Sequence, residues 1–244
     1  MNIRALIGAI CVSGLCSAAD AAPTQVFFSD FDGALPGAIS PASALLTGVQ
    51  GFAGLGAPGN QFGGNFLRSA TGNTVKLELA GLPSHDTISL EFLFAAIDSL
   101  DGTGDSFPIG DFFKVVFDGV TLFSESFANA LPGQIQSYVP PAGVELARHV
   151  DLGFTGPGSF FTDSAYNFGA DPRFANFAHS ASSATIEFFI FGPGNQALDD
   201  ESWAMDNLRV SVATRTASVP TPQTAGLVAL GLCGLGVLRR RREA

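Results

Sequence analysis

The chain has 244 residues, 46% of them hydrophobic and only 14% charged, with a formal net charge of −10 at pH 7. Twelve Lys and Arg against 22 Asp and Glu leave no basic surface for a polyanion, which excludes nucleic-acid binding. Its three cysteines, Cys11, Cys16 and Cys233, lie near the two ends, so the body between them holds no disulfide framework.

Arg4, the apolar run Ala5 to Leu15 and the small-x-small site Ala19-Asp20-Ala21 predict a signal peptide over residues 1–21, and with it export by the Sec machinery. Ser13-Gly14-Leu15 ahead of Cys16 makes a poor lipobox. Residues 22–218 form one predicted domain, long enough to bury a sizeable core. Without the five arginines and two acids of the end segments, this body keeps seven basic and twenty acidic residues, about −13. Such a surface attracts divalent cations.

Along the body, the pattern is all-β. Phe28-Ser-Asp30-Phe-Asp32-Gly33 opens the first strand, and the glycine-rich stretch Gly48 to Gly64 reads as an exposed loop. That stretch lacks the Gly-Lys-Ser/Thr of a phosphate loop. Val75, Leu77 and Leu79 alternate with Lys76 and Glu78; Ile88, Leu90, Phe92 and Phe94 alternate with Ser89 and Glu91; Ile186, Phe188 and Ile190 alternate with Glu187. Period two predicts strands with one face buried. Asp118-Gly119, between Val115-Val116-Phe117 and Val120 to Phe123, predicts a type I′ hairpin. Further loops fall over Gly33 to Gly37, Pro132 to Gly143 and Gly153 to Gly158, and no window carries a helical period. Some nine short strands joined by such loops predict a two-layer antiparallel jelly-roll sandwich, with most Phe residues filling the space between sheets.

Carboxylates are the candidate chemistry. Asp98, Asp101 and Asp105, with Asp111 ahead of a strand, crowd one glycine-rich loop, and hard oxygen ligands in that number suit Ca²⁺, although the spacing is not that of an EF-hand. A second group is split between the ends of the body, Asp30 and Asp32 in the first strand and Glu201 and Asp206 in the last. In the last strand Trp203 and Met205 share one phase while Leu208, Val210 and Val212 share the other, which predicts a β-bulge near Asp206-Asn207. First and last strands of a jelly roll commonly lie side by side, so Asp30 or Asp32 is expected to share a cation with Asp206 or Glu201.

Among the histidines, His85, His149 and His179 sit in turns, strand ends and loops, outside any Gly-x-Ser-x-Gly or HExxH motif, and read as surface or capping residues. The expectation is therefore no enzyme. Outward glutamates Glu78, Glu91 and Glu187 keep a polysaccharide hydrolase or lyase as an alternative. Sugar binding calls for exposed aromatic faces. Trp203 reads as core, which leaves Tyr138 and Tyr166 as the platform candidates.

Beyond the body, Val219-Pro220-Thr221-Pro222 precedes an uncharged run over 224–238 and then Arg239, Arg240, Arg241 and Arg242. Fifteen helical residues reach about 22 Å against a hydrocarbon core of about 30 Å, a short membrane span with the arginines on the cytoplasmic side. This tail, residues 219–244, resembles the PEP-CTERM sorting signal of exopolysaccharide-producing bacteria, with Thr221 standing where that family has Glu. The resemblance implies recognition by an exosortase-type membrane protease, transient inner-membrane anchoring, and a body released or attached at the cell surface. Asp98-Ser-Leu-Asp-Gly, Asp105-Ser-Phe, Phe117-Asp-Gly-Val-Thr-Leu-Phe and Trp203-Ala-Met-Asp-Asn-Leu-Arg-Val are similar to the marks of jelly-roll domains in exported proteins and to carbohydrate-binding modules. That second resemblance implies a structural Ca²⁺ on an Asp of the final strand, here Asp206; Leu100 replaces the usual Trp. Together these readings predict a non-catalytic cell-surface or biofilm-matrix protein that binds exopolysaccharide with Ca²⁺ support. The alternative of the same class without a ligand is a purely structural matrix component.

Overall fold

Runs of β-branched and aromatic residues in period two, punctuated by Gly and Pro, set the architecture. A computed structural model describes residues 22–104, 110–130, 133–154 and 161–214. The predicted signal peptide, membrane run and sorting signal, and Asp105, lie outside the described residues. Residues 22–214 form one compact unit.

The first strands are β1 (Thr24–Ser29), β2 (Ile39–Ser40), β3 (Leu45–Gly48), β4 (Gly56–Ala57), β5 (Asn60–Gln61) and β6 (Asn65–Ala70). Next come β7 (Thr74–Ala80), β8 (Thr87–Asp98), β9 (Phe112–Phe117), β10 (Val120–Ser126) and β11 (Glu145–Val150). The last are β12 (Asp163–Asn167), β13 (Phe177–Ala178), β14 (Ser183–Phe191) and β15 (Glu201–Ala213). Helical structure among the described residues is limited to three 3₁₀ turns, and none is long and apolar enough to cross a membrane.

One sheet runs β11-β12-β8-β15-β6-β3, with β1 on β15 and β13 on β8; the second runs β10-β9-β14-β7-β2. Named pairings are antiparallel throughout. With β12-β8-β15-β6 in one layer and β10-β9-β14-β7 in the other, the chain winds as a jelly roll does. The first and last strands pair as expected, Phe28 opposite Arg209. The bulge also falls where the phase change placed it, between Asp206 and Arg209, with Asn207 at φ 51° absorbing the extra residue. Asp118 and Gly119 take φ of 47° and 79°, the double positive φ of a type I′ turn.

Inward residues of both sheets form the main core. Val75, Leu77 and Leu79 on β7 meet Phe92 and Phe94 on β8, Phe113 and Val115 on β9, Ile186 and Phe188 on β14 and Trp203 and Met205 on β15. Strand β8 is buried on both sides. Its outward residues Leu93, Ala95 and Ile97 join a second cluster with Phe52, Phe62, Phe66, Leu152 and Phe154.

That second cluster corrects the reading of Gly48 to Gly64 as an exposed loop. The stretch folds back over the outer face of the first sheet, with Phe52 and Phe62 fully buried. Phe52 packs 5.4 Å from Phe62, 5.9 Å from Phe66 and 6.0 Å from Phe154. Gly51 donates its N–H to Leu152 O at 2.8 Å, a close approach that its missing side chain permits. Burying a Phe contributes roughly 1.5–3 kcal/mol, so the two offset part of the cost of ordering this segment.

Candidate metal centre

Period two places the acids as well as the core. Asp111 lies in phase with Phe113, Val115 and Phe117, and Glu201 in phase with Trp203 and Met205, so both continue inward-facing stripes to one end of the sandwich. Asp101 reaches the same end because the backbone folds back on itself. Asp111 N–H donates to Asp101 O at 2.8 Å, and Asp101 N–H donates to Asp111 Oδ2 at 2.9 Å. Asp101, Asp111 and Glu201 thus each bring a carboxylate oxygen within 4.8 Å of the other two.

One oxygen of each group is held by a donor. Gln134 Nε2 donates to Asp101 Oδ1 at 2.7 Å, the Asp101 N–H holds Asp111 Oδ2, and Gln196 Nε2 donates to Glu201 Oε1 at 2.6 Å. Glu201 Oε2 is fully buried and accepts no hydrogen bond, and the Asp111 and Glu201 carboxyl groups are close enough to share a proton. Burial, then the charges of Asp111 and Asp101, pushes the Glu201 carboxyl far above its ordinary range; burial chiefly raises Asp111 too.

Two full charges 4.8 Å apart repel by about 3–4 kcal/mol at an effective dielectric near 20. Three ionised carboxylates therefore need a compensating charge, either a proton held between two of them or a cation. Ca²⁺ takes oxygen ligands at about 2.3–2.6 Å, so two ligands across one ion stand up to about 5 Å apart. The spacing fits that reach.

The other predicted acids sort differently. Glu201 stands with Asp101 and Asp111 and not with Asp30, Asp32 and Asp206, because it faces inward with Trp203 and Met205, whereas Asp206 has the other phase and lies opposite Leu93 of the outer cluster. Asp206 stands alone in that pairing with the first strand. Its Oδ2 accepts Gly63 N–H at 3.1 Å and its Oδ1 accepts Asn207 N–H at 2.7 Å. Burial, with the charges of Asp32 and Asp30 adding, pushes it up to about 7. Asp32 Oδ1 accepts Asn65 N–H at 2.6 Å, and Asp30 Oδ1 accepts Asp32 N–H at 3.2 Å. Asp30, Asp32 and Asp206 do not close to the spacing of the first group among the described residues. Asp98 also leaves its predicted cluster. It is buried at the end of β8, its N–H on Asp163 Oδ1 at 3.0 Å and its charge acting on buried Arg68.

The tyrosine platform is overturned. Tyr138 and Tyr166 are 2% and 0% exposed and sit in the aromatic core, 5.4 Å apart. Each hydroxyl has a buried acceptor, which removes the cost of burying it: Tyr138 Oη donates to Asp171 Oδ2 at 2.8 Å and Tyr166 Oη to Gln136 Oε1 at 3.1 Å. Trp203 is core, as its phase predicts.

An exposed aromatic face exists elsewhere. Phe191 is 62% exposed and lines a cleft of about 500 Å³ with Phe112, Lys114, Ser124, Gly192 and Pro193. Lys114 Nζ lies 5.7 Å over the Phe191 ring and has no ion-pair partner among the described residues, unlike Lys76, Arg173 and Arg209. The cleft adjoins the carboxylates, since a side chain at Gly192 would overlap Asp111 Oδ1. Neither Gln134, Gln196 nor this cleft carries a motif. The crowding of Asp101 and Asp111 in one loop announced part of the centre, and the strand phase of Glu201 could have added the third member.

No protein-family model and no curated protein matches the chain. Among solved structures it is similar to a family GH115 4-O-methyl-α-glucuronidase with specificity for decorated arabinogalactans, at 10% identity and TM-score 0.33, over 78% of this chain and 18% of that one. A second is the Agl-KA catalytic domain, at 12% identity and TM-score 0.33, over 88% and 31%. A third is the CBM22-2 xylan-binding domain of Paenibacillus barcinonensis Xyn10C, at 13% identity and TM-score 0.32, over 76% and 98%. The chain spans less than a third of the first two. The fold itself rests on the strand order given above.

Proposed function

We propose that this chain is a non-catalytic, exported surface or matrix module that binds Ca²⁺ at Asp101, Asp111 and Glu201 and an acidic exopolysaccharide in the adjoining Phe191–Lys114 cleft. The buried, unpartnered Oε2 of Glu201 carries the reading. A desolvated acceptor facing two more carboxylates must be protonated or joined by a cation, and a cation lets all three groups ionise. The ion would tie β9 of one sheet to β15 of the other and fix the wall of the cleft. An acidic sugar would stack on Phe191, set its carboxylate against Lys114, and meet the cation nearby. Asp206, with Asp32 and Asp30, is a second place where Ca²⁺ would lower repulsion.

Affinity electrophoresis tests the ligand: an acidic polysaccharide such as alginate retards the protein with Ca²⁺ and not with chelator, whereas equal mobility in both conditions sinks the polysaccharide part. Export, exosortase sorting and transient membrane anchoring rest on the two end segments. The intact mass of protein recovered from the surface or medium tests them, with loss of residues 1–21 and of the arginine tail expected and an uncut chain contradicting them. The purely structural matrix reading draws support from the Phe52–Phe62 layer that covers one sheet face. Retention of surface assembly by a protein that binds no glycan would favour it. Release of reducing sugar from a glycan panel would instead promote the hydrolase or lyase.

A further inference from the structure

Two histidines far apart in sequence meet in a way the acidic centre does not use. His85, between β7 and β8, is 4% exposed, and His179, just after β13, has a side chain only 7% exposed. Their ring centroids stand 4.9 Å apart with the planes 21° from parallel, and His85 Nε2 lies 2.6 Å from His179 Nδ1, so the rings meet edge to edge. The outer nitrogens fix which atoms carry hydrogen. His85 Nδ1 lies 2.6 Å from Pro83 O, a pure acceptor, so Nδ1 is the donor. His179 Nε2 lies 3.2 Å from Asp118 Oδ2, off the direction of its N–H; a bare lone pair beside a carboxylate would be repelled, so Nε2 is protonated as well.

With hydrogen on the outer nitrogens, both inner nitrogens present lone pairs to each other. We infer that His85 Nε2 and His179 Nδ1 form a two-imidazole site for a borderline divalent cation, Zn²⁺ or Cu²⁺. The outer partners resemble those of a metal-bound imidazole: His85 Nδ1–H donates to a backbone carbonyl, and His179 Nε2 stands beside the Asp118 carboxylate, outside hydrogen-bond geometry. Asp118 is itself fixed, since its Oδ1 accepts Thr185 N–H at 2.8 Å. Imidazole selects these metals over Ca²⁺. Zn–N bonds of about 2.0–2.1 Å at a tetrahedral angle separate the nitrogens by about 3.3 Å, so the rings must part by a little over half an ångström. A cavity of about 320 Å³, lined by His179, Asp118, Thr121 and apolar side chains, adjoins the His179 ring.

The test is calorimetric titration of the full-length protein with Zn²⁺ in excess Ca²⁺, which keeps the carboxylate centre filled. One equivalent should bind, at least tenfold more weakly in His85→Gln and His179→Gln and about 10–100-fold more weakly in Asp118→Asn. Cu²⁺-loaded wild type should show electron paramagnetic coupling to two imidazole nitrogens, a readout that needs no variant. Absence of binding, equal affinity in the histidine variants, or a copper spectrum without nitrogen coupling overturns the site. Because the cation and the variants differ from those of the Ca²⁺ centre, either proposal can fail alone.

Discussion

Asp111 stands one residue ahead of β9 and Glu201 opens β15 of the opposite sheet, yet each continues the buried stripe of its strand, so two carboxylates meet where the inter-sheet core ends. A core stripe that terminates in acids is costly unless something positive joins them.

Removing one charge should therefore help the protein without metal and hurt it with metal. Glu201→Gln keeps an acceptor for Gln196 and deletes the repulsion. In chelator its melting temperature should rise by about 2–4 °C, roughly 1 kcal/mol for a domain of this size, while the further rise that Ca²⁺ gives wild type should vanish. A variant that melts below wild type in chelator would contradict repulsion at this centre.

The carboxylates also set a pH dependence. Asp206 is pushed up to about 7, and Glu201 and Asp111 are raised. Between about pH 4, where unfolded carboxylates ionise, and pH 7, the folded state holds protons that the unfolded state has released. Stability from these groups is thus greatest below about pH 4 and is lost as pH rises through 7. In chelator the melting temperature should be several degrees lower at pH 8 than at pH 5, and saturating Ca²⁺ should raise it more at pH 8. An equal Ca²⁺ effect at both pH values would count against carboxylate ligation.

Much of the fold was legible. The alternation of β7, β8 and β14, the Asp118-Gly119 turn and the phase change at Asp206 are local signals, and local signals survive folding. The covering of one sheet face by Gly48 to Gly64 was not legible, because glycines advertise a loop while Phe52 and Phe62 take their meaning only from Phe66 and Phe154. Tyr138 and Tyr166 misled for the same reason: a hydroxyl looks exposed until Asp171 and Gln136 are brought to it. The grouping of Asp101 and Asp111 was readable from one loop, but the partnership of Glu201 depended on sheet order.

The covering layer makes its own prediction. A methyl group at Gly51 would sit 2.7 Å from Leu152 O and 2.9 Å from its Cα, backbone that cannot yield cheaply. Gly51→Ala should cost about 1–3 kcal/mol, read as a lower urea midpoint with unchanged slope. A neutral result would mean that the layer is not docked.

For the cleft, Phe191→Ala and Lys114→Ala should each abolish retardation by acidic polysaccharide with little change in stability, since Phe191 is exposed. Tyr138→Phe and Tyr166→Phe should do the reverse, lowering stability by about 0.5–1.5 kcal/mol through the lost hydrogen bonds. If the tyrosine variants lose retardation and the cleft variants keep it, the ligand face has been misplaced.

The central claim is that three carboxylates at one end of the sandwich grip one cation, and calorimetric Ca²⁺ titration of chelator-stripped protein addresses it most directly. Wild type should bind at least one equivalent, and Glu201→Gln one fewer. Superimposable isotherms for the two proteins, or no Ca²⁺ binding by wild type, would contradict it.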